Sequence, residues 1–383
     1  MFLALRDLRF ATGRFALMGS VVALISLLLV MLSGLTAGLG GQNTAAIDRL
    51  GEQGVQRLVF GGAADQEPTA SFTQSEFTVA QRDAWAATDG VASVEPLGVS
   101  QGRAIGLEHP VDTDPQGRAD VSGEPTTGVA TTAFIGLTPG GSDAPAGVEP
   151  GQIVLSQDVA DSLHAQEGDA VAVSGFVYTV ADVVPTEYYS HSPVTWLALE
   201  DWNAISHTAD DAVLGTAGLV RFDAGADVDA VAAAGDDAAG TVAETVKGSY
   251  AALPSYRSEN GSLMTMQGFL YGISALVVIA FLSIWTVQRT RDIAVLKALG
   301  GSNGWVLKDS LAQAAFVLVG GVAVGTGLAA AIGAFAGRAV PFELSWATTA
   351  VPAAGVLVLG MLAAVIAVYR VTRIDPLVAL GGN

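Results

Sequence analysis

Four stretches of this chain are too long and too free of charge to be ordinary core helices. They run over residues 15–39, 263–287, 311–336 and 346–369, and none contains Asp, Glu, Lys or Arg. Each supplies at least the ~20 apolar residues that a helix needs to cross ~30 Å of hydrocarbon. Four transmembrane helices are therefore expected, one near the N-terminus and three grouped near the C-terminus. A cleavable signal peptide competes for the first stretch. Its apolar run exceeds the ~7–15 residues of a signal core. Gly40-Gly41-Gln42-Asn43 supplies no small-x-small cleavage site, which favours a retained signal-anchor helix.

The formal charge of −19 divides along these boundaries. Four spans place segments 1–14, 288–310 and 370–383 on one side, and together these carry +5, whereas residues 40–262 carry −24. Basic residues near the membrane mark the cytoplasmic side, so both termini are expected in the cytoplasm and the large acidic domain outside. Residues 337–345 are then the short outer loop between the last two spans. The acidity excludes a general nucleic-acid binder. With 51% hydrophobic and only 14% charged residues, the chain is no disordered acidic protein either. The absence of Cys excludes disulfide scaffolds, thiolate metal sites and cysteine nucleophiles.

Residues 1–14 set Phe2, Leu5 and Leu8 at helical spacing with Arg6 and Arg9 towards the other face. That pattern suits a cytoplasmic interfacial helix, or equally the helical start of the first span. The inserted domain, 40–262, reads as mixed α and β. Gln152 to Leu155 is a short strand, Ser156 an N-cap, and 157–164 a helix. Residues 170–174 and 176–184 read as paired strands and 194–199 as another, with Gly/Pro/Ser/Thr/Asp-rich loops over 61–70, 110–128 and 138–150. The expected fold class is an α-helical membrane protein of one plus three transmembrane helices, with a mixed α/β extracellular domain inserted between helices 1 and 2.

No Gly-x-x-x-x-Gly-Lys-Ser/Thr loop is present, so ATP hydrolysis by that route is excluded. His109, His164, His191 and His207 show no metal-binding spacing, and no Gly-x-Ser-x-Gly elbow occurs. No catalytic residue, intrinsic metal or intrinsic cofactor is expected. The informative segment is the loop 288–310. Asp292 in a first turn and Lys297 near the end suit the helix dipole, Gly300-Gly301 supplies a stop, and Ile293, Leu296 and Leu299 share an apolar face. A short helix of this kind, held between two spans, packs on the membrane surface or on a partner.

The run from Arg289 to Ser302, Arg-x-Arg-Asp-Ile-Ala-Val-Leu-Lys-Ala-Leu-Gly-Gly-Ser, resembles the loop of FtsX/MacB-type permeases of ABC transporters. The tail from Arg370 to Leu380 resembles theirs as well, and the one-plus-three layout matches over the whole chain. Asp292 stands where Glu is usual, which keeps the charge. The resemblance implies that Arg289, Arg291, Asp292, Ile293, Leu296, Lys297 and Leu299 dock on a separate ATPase chain, present in two copies, that binds the ATP. It also implies a permease homodimer in the lipid bilayer. A narrower likeness is to the haem-efflux branch of that family. It rests on Leu5 to Phe10, Gly13 to Met18 and Tyr188 to Trp196, and implies haem as the transported substrate. Two rival readings are an exporter of another amphiphile (drug, peptide or lipoprotein) and an FtsX-like signalling protein acting on an outer partner.

Haem is a flat apolar disc with two carboxylates and an iron that takes His, Met or Tyr ligands. On that implication the candidate residues are Arg49 and Arg57 after the first span, and His191 in the aromatic run. Tyr256, Arg257, Glu259, Asn260, Met264 and Met266, before and into the second span, complete the set. Met264 and Met266 are two apart and point in different directions on a helix, so one at most faces a ligand. Core or lipid contact is the plainer role for either. Gly34 and Gly38 suit close helix approach, in a dimer groove or within the chain, as do Gly321 with Gly325 and Gly333 with Gly337. Charge reversal at Arg291, Asp292 and Lys297 is expected to abolish co-purification of the ATPase chain from detergent extracts while membrane insertion is unchanged. A complex that persists would overturn the docking assignment.

Overall fold

The computed structural model describes residues 12–62, 67–206, 212–288, 303–337 and 340–372. The expected interfacial helix before residue 12, the docking residues Arg289 to Leu299 and the tail beyond 372 lie outside the described residues. Two compact units are present: a helical unit of residues up to 39 and from 260, and an inserted unit, Gly40–Glu259.

Helix α1 spans Thr12–Glu52. Within the helical unit its buried residues Phe15, Met18, Val22, Ile25 and Leu29 alternate at three and four positions, the spacing of a helix–helix seam. The helix does not stop at the glycines after residue 39. Ala46, Ile47 and Leu50 are buried in the core of the inserted unit. That packing outweighs a helix cost of roughly 1 kcal/mol for each of Gly40 and Gly41.

The inserted unit is built from β1 (Arg57–Phe60), β2 (Phe77–Thr78), α2 (Val79–Ala86), β3 (Val91–Leu107) and β4 (Thr126–Leu137). There follow β5 (Gln152–Ser156), α3 (Gln157–Leu163), β6 (Ala170–Val173), β7 (Phe176–Val184), β8 (Tyr188–Tyr189), β9 (Ser192–Ala198) and α4 (Leu199–Ile205). The last elements are β10 (Val213–Gly215), β11 (Ala217–Phe222), α5 (Val228–Ala239) and β12 (Val242–Thr245). The long strand β3 organises them. Its first half pairs with β11, continuing the sheet β12-β1-β11-β3. Its second half pairs with β4 and, at Ala104–Gly106, with β6. Since β4 pairs with β9, β9 with β5, β5 with β7 and β7 with β6, the pairings close into a six-stranded ring.

A tryptophan plugs each half. Trp85 of α2 is fully buried with Val59, Phe77, Val220 and Phe222, and its indole N–H donates to Thr241 Oγ1 at 2.9 Å. Helix α2 starts with a reciprocal cap between Thr78 and Gln81. Trp202 of α4 lies flat on Gly98 and Gly136 of the ring, where any Cβ would overlap the indole. Ser156 stands at the N-cap position of α3, as expected, but its side chain makes no cap bond. Its hydroxyl bridges to Val194 of β9 in both directions, and Thr186 Oγ1 instead accepts the Asp158 N–H at 3.0 Å.

The helical unit continues with α6 (Pro254–Gln288), α7 (Asn303–Ala336) and α8 (Trp346–Thr372). Helix α6 opens on proline, whose missing N–H costs nothing in the first turn. Ser345 and Thr348 cap α8 reciprocally. All four long helices are long and apolar enough to cross a membrane. Residues 278 and 282 of α6, 314 to 322 of α7 and 356 to 367 of α8 complete the seam begun by α1. Gly321 and Gly325 let α7 lie directly on the α1 backbone at Gly19 and Ala23 and against the Val22 side chain. The face of Gly34 and Gly38 is filled by the chain itself: Phe342 fits between Gly34 and Gly333, and the Pro341 carbonyl covers Gly38. Gly325→Val should destabilise the helical unit by about 1–3 kcal/mol, because α1 cannot recede. Gly327→Val, which meets open space, should leave the melting temperature in detergent unchanged.

Candidate functional site

Two features stand out, one in each unit. In the helical unit, α1, α6 and the end of α7 enclose an apolar groove of about 650 Å³. Leu28, Met31 and Leu35 line one wall, Met266, Phe269 and Leu270 another, and Phe342 and Val340 close it. Gln267 Nε2 donates to Thr36 Oγ1 at 3.2 Å and ties α6 to α1 beside it. The volume falls within the ~300–1,000 Å³ usual for small-molecule sites. Its walls offer apolar surface, two aromatic rings and two soft thioethers, a set suited to a flat apolar ligand. Met266 lines this groove; Met264 is equally exposed but does not line it.

In the inserted unit, three pieces of chain meet in a polar cluster. The β8–β9 hairpin turns through Ser190 and His191, whose φ values are 48° and 64°. Two positive-φ positions make the tightest hairpin turn, here without glycine. The turn's two N–H groups donate to the carbonyls of Asn43 and Gln42 on α1, at 3.0 and 2.9 Å. His191 Nε2 lies 2.8 Å from Glu259 Oε2 and 2.9 Å from Asn43 Nδ2. Ser255 Oγ donates to Asn43 Oδ1 at 2.7 Å.

Next along α1, Thr44 Oγ1 donates to Asp48 Oδ2 at 2.9 Å, and the Tyr250 hydroxyl donates to Asp48 Oδ1. Burial, then that bond, push the Tyr250 hydroxyl pKa strongly upward. Arg49 pairs with Glu187 at 3.4 Å and sits 5.6 Å over the Trp196 ring. Burial raises the Glu187 carboxyl above its ordinary value, and Arg49 only partly offsets it.

Of the residues singled out from sequence, His191 and Glu259 meet directly, Arg49 is engaged with Glu187 and Trp196, and Tyr256 packs edge-on against Tyr250. Arg57 pairs elsewhere, with Asp229 of α5. Arg257 is exposed and Asn260 half-buried. Sequence reasoning left out Met31, Phe269 and Phe342 of the groove. Phe269 was discoverable, since it lies three residues from Met266 and so shares its helix face. Phe342 had no local signal.

Residues 264–376 match the family described as FtsX-like permease C-terminal. The matched segment takes in most of α6 and all of α7 and α8, less than a third of the chain. A Staphylococcus epidermidis protein named hemin transport system permease protein HrtB is 21% identical over 385 residues, covering 100% of both chains. The Staphylococcus haemolyticus protein of that name is 29% identical over 130 residues, 34% of this chain and 37% of the relative. Among solved structures, the extracellular domain of the noncanonic ABC-type transporter YknZ from Gram-positive bacteria aligns with 49% of this chain and 95% of its own. Its identity is 13% and its TM-score 0.31.

Because folding raises the Glu187 pKa, the stability this group contributes is fully present below pH 4.5 and is lost as pH rises through the folded value. Melting curves of the wild type and Glu187→Gln across pH 4 to 8 should therefore diverge in one direction. The variant should gain on the wild type as the pH increases. A constant difference would show that burial does not hold this carboxyl up.

Proposed function

We propose that the chain is the permease half of an ATP-driven exporter and that its substrate is haem, with ATP hydrolysed by a separate ATPase chain. The observation that carries this reading is the coincidence of an FtsX-like domain over 264–376 with likeness along the whole chain to a protein named for hemin transport. The apolar groove of the helical unit supports it. Its walls suit a porphyrin face, and the thioether of Met31 or Met266 is a known class of iron ligand. Haem partitions into membranes, so a groove lined by lipid-facing helices takes it from the bilayer rather than from water.

In this proposal two permeases and two ATPase chains assemble, and ATP-driven movement of the spans narrows the groove and expels the ligand outwards. The +5 and −24 division of charge supports cytoplasmic termini and an extracellular inserted unit. Haemin titrated into the detergent-purified chain should shift its Soret band saturably. Met266→Ala should alter the band position or weaken binding, and Phe269→Trp, which fills the groove, should weaken binding about tenfold or more, the effect of ~1.4 kcal/mol. No Soret change would sink the haem assignment. If another amphiphile then stimulated the partner's ATPase, the exporter reading would survive with a different substrate.

A further inference from the structure

We propose that Phe342 is the gate of the apolar groove in the helical unit: seated between α1 and α7 it shuts the end of the groove, and on leaving that seat it opens the groove to a ligand. The inference rests on the reading that this groove holds the exported amphiphile. The groove walls from α1 and α6 are helical, whereas Val340 and Phe342 come from the loop 337–345 that joins α7 to α8. The Phe342 ring rests on Gly34 of α1 and Gly333 of α7, and a Cβ at either position would overlap it. The Pro341 carbonyl takes the space beside Gly38, and the Glu343 N–H donates to the Gly34 carbonyl at 3.0 Å. Three glycines thus give the loop a seat that any side chain would fill.

A seat of this kind holds the ring by shape. In water an aromatic plug is fixed by the hydrophobic effect, because withdrawing it exposes roughly 150–250 Å² of surface. Among lipid-facing helices that term vanishes, since a lipid tail is as apolar as the seat. Withdrawal then costs close contacts only, and an apolar ligand in the groove can replace them. Phe342 is half-buried even when seated, and it lines the groove. The two walls of the seat belong to different helices, so the spacing of α1 and α7 at this level acts on the ring directly. Gly321 and Gly325 hold α7 on α1 further back. Gly325 lies eight residues before Gly333, roughly 12 Å along the helix. The two helices can therefore part at Phe342 while staying joined at the other contact.

The loop is anchored on both sides of the ring. The Val340 N–H donates to the Ala336 carbonyl at 3.0 Å, and Thr348 Oγ1 donates to the Glu343 carbonyl at 3.1 Å within the cap of α8. Between these anchors stand Pro341, which has no N–H to give, and Phe342. The ring can turn out of its seat while the helix ends stay in place.

The test follows haemin binding to the full-length chain in detergent by stopped flow, with apomyoglobin as the sink for dissociation. Removing a gate lowers the barrier in both directions, whereas removing a wall contact speeds dissociation alone. Phe342→Ala should raise the association and dissociation rate constants together, each about tenfold or more. Gly333→Ala keeps the ring but fills its seat, and should act in the same way. A change confined to dissociation, or wild-type rates in both variants, overturns the gate and leaves the proposed function standing. Absence of haemin binding by the wild type removes the haem reading and the gate with it. A further measurement serves even where neither substitution folds. The chain has no Cys, so Glu343→Cys, at an exposed position, supplies a sole thiol for a trifluoromethyl tag. Its fluorine NMR spectrum should show two lines whose ratio shifts when protoporphyrin IX is added. One line that does not shift overturns the gate.

Discussion

Hydrocarbon offers a peptide group nothing to hydrogen-bond with, and the rest of the structure follows from that denial. A chain crossing it must satisfy every N–H and C=O within its own segment, which leaves the helix as the form for four uncharged stretches of this length. Lipid also removes the usual drive for helices to associate, since a lipid tail is as apolar as leucine. Close shape has to replace it. In this chain that shape is a three-four seam along α1, glycines at 321 and 325 against the α1 backbone, and Phe342 between Gly34 and Gly333. Pro352 inside α8 is tolerated in the same setting.

The inserted unit obeys the opposite condition. It stands in water, carries nearly all the acidic residues, and hides its apolar ones in separate cores around Trp85 and Trp202. One long strand, β3, serves both a flanking sheet and a closed ring, so the two halves share a backbone rather than only a surface. That sharing gives the β8–β9 hairpin a fixed base. Its glycine-free turn then holds Ser190 and His191 against α1.

The limits of sequence reading are physical and lie at particular residues. Spans were legible because twenty uncharged residues have few other uses. Short strands at 152–155, 170–173 and 176–184 were legible from alternation and the turn between them. The continuation of α1 through Gly40 and Gly41 was not, because intrinsic propensity argues against it and only the burial of Ala46, Ile47 and Leu50 decides it. Ser156 carried a cap signal, yet pairing with Val194 claimed its hydroxyl first. The hairpin turn was hidden because Ser-His lacks the Asn-Gly or Asp-Gly signature of two positive-φ residues. For the candidate site, helical geometry foretold that the two methionines would diverge, but not which one lines the groove.

By itself the sequence determined how many times the chain can cross a membrane, how its charge divides, that it carries no phosphate loop, and which permease family its C-terminal segments resemble. Those properties are local, set by runs of residues and their spacing. Tertiary structure alone decided that Asn43, His191 and Glu259 meet, that Arg57 belongs to Asp229 instead, and that Phe342 fills the glycine face of α1. These contacts join positions up to some three hundred residues apart. They exist because the chain returns on itself, and no pattern within a helix or strand encodes where it returns.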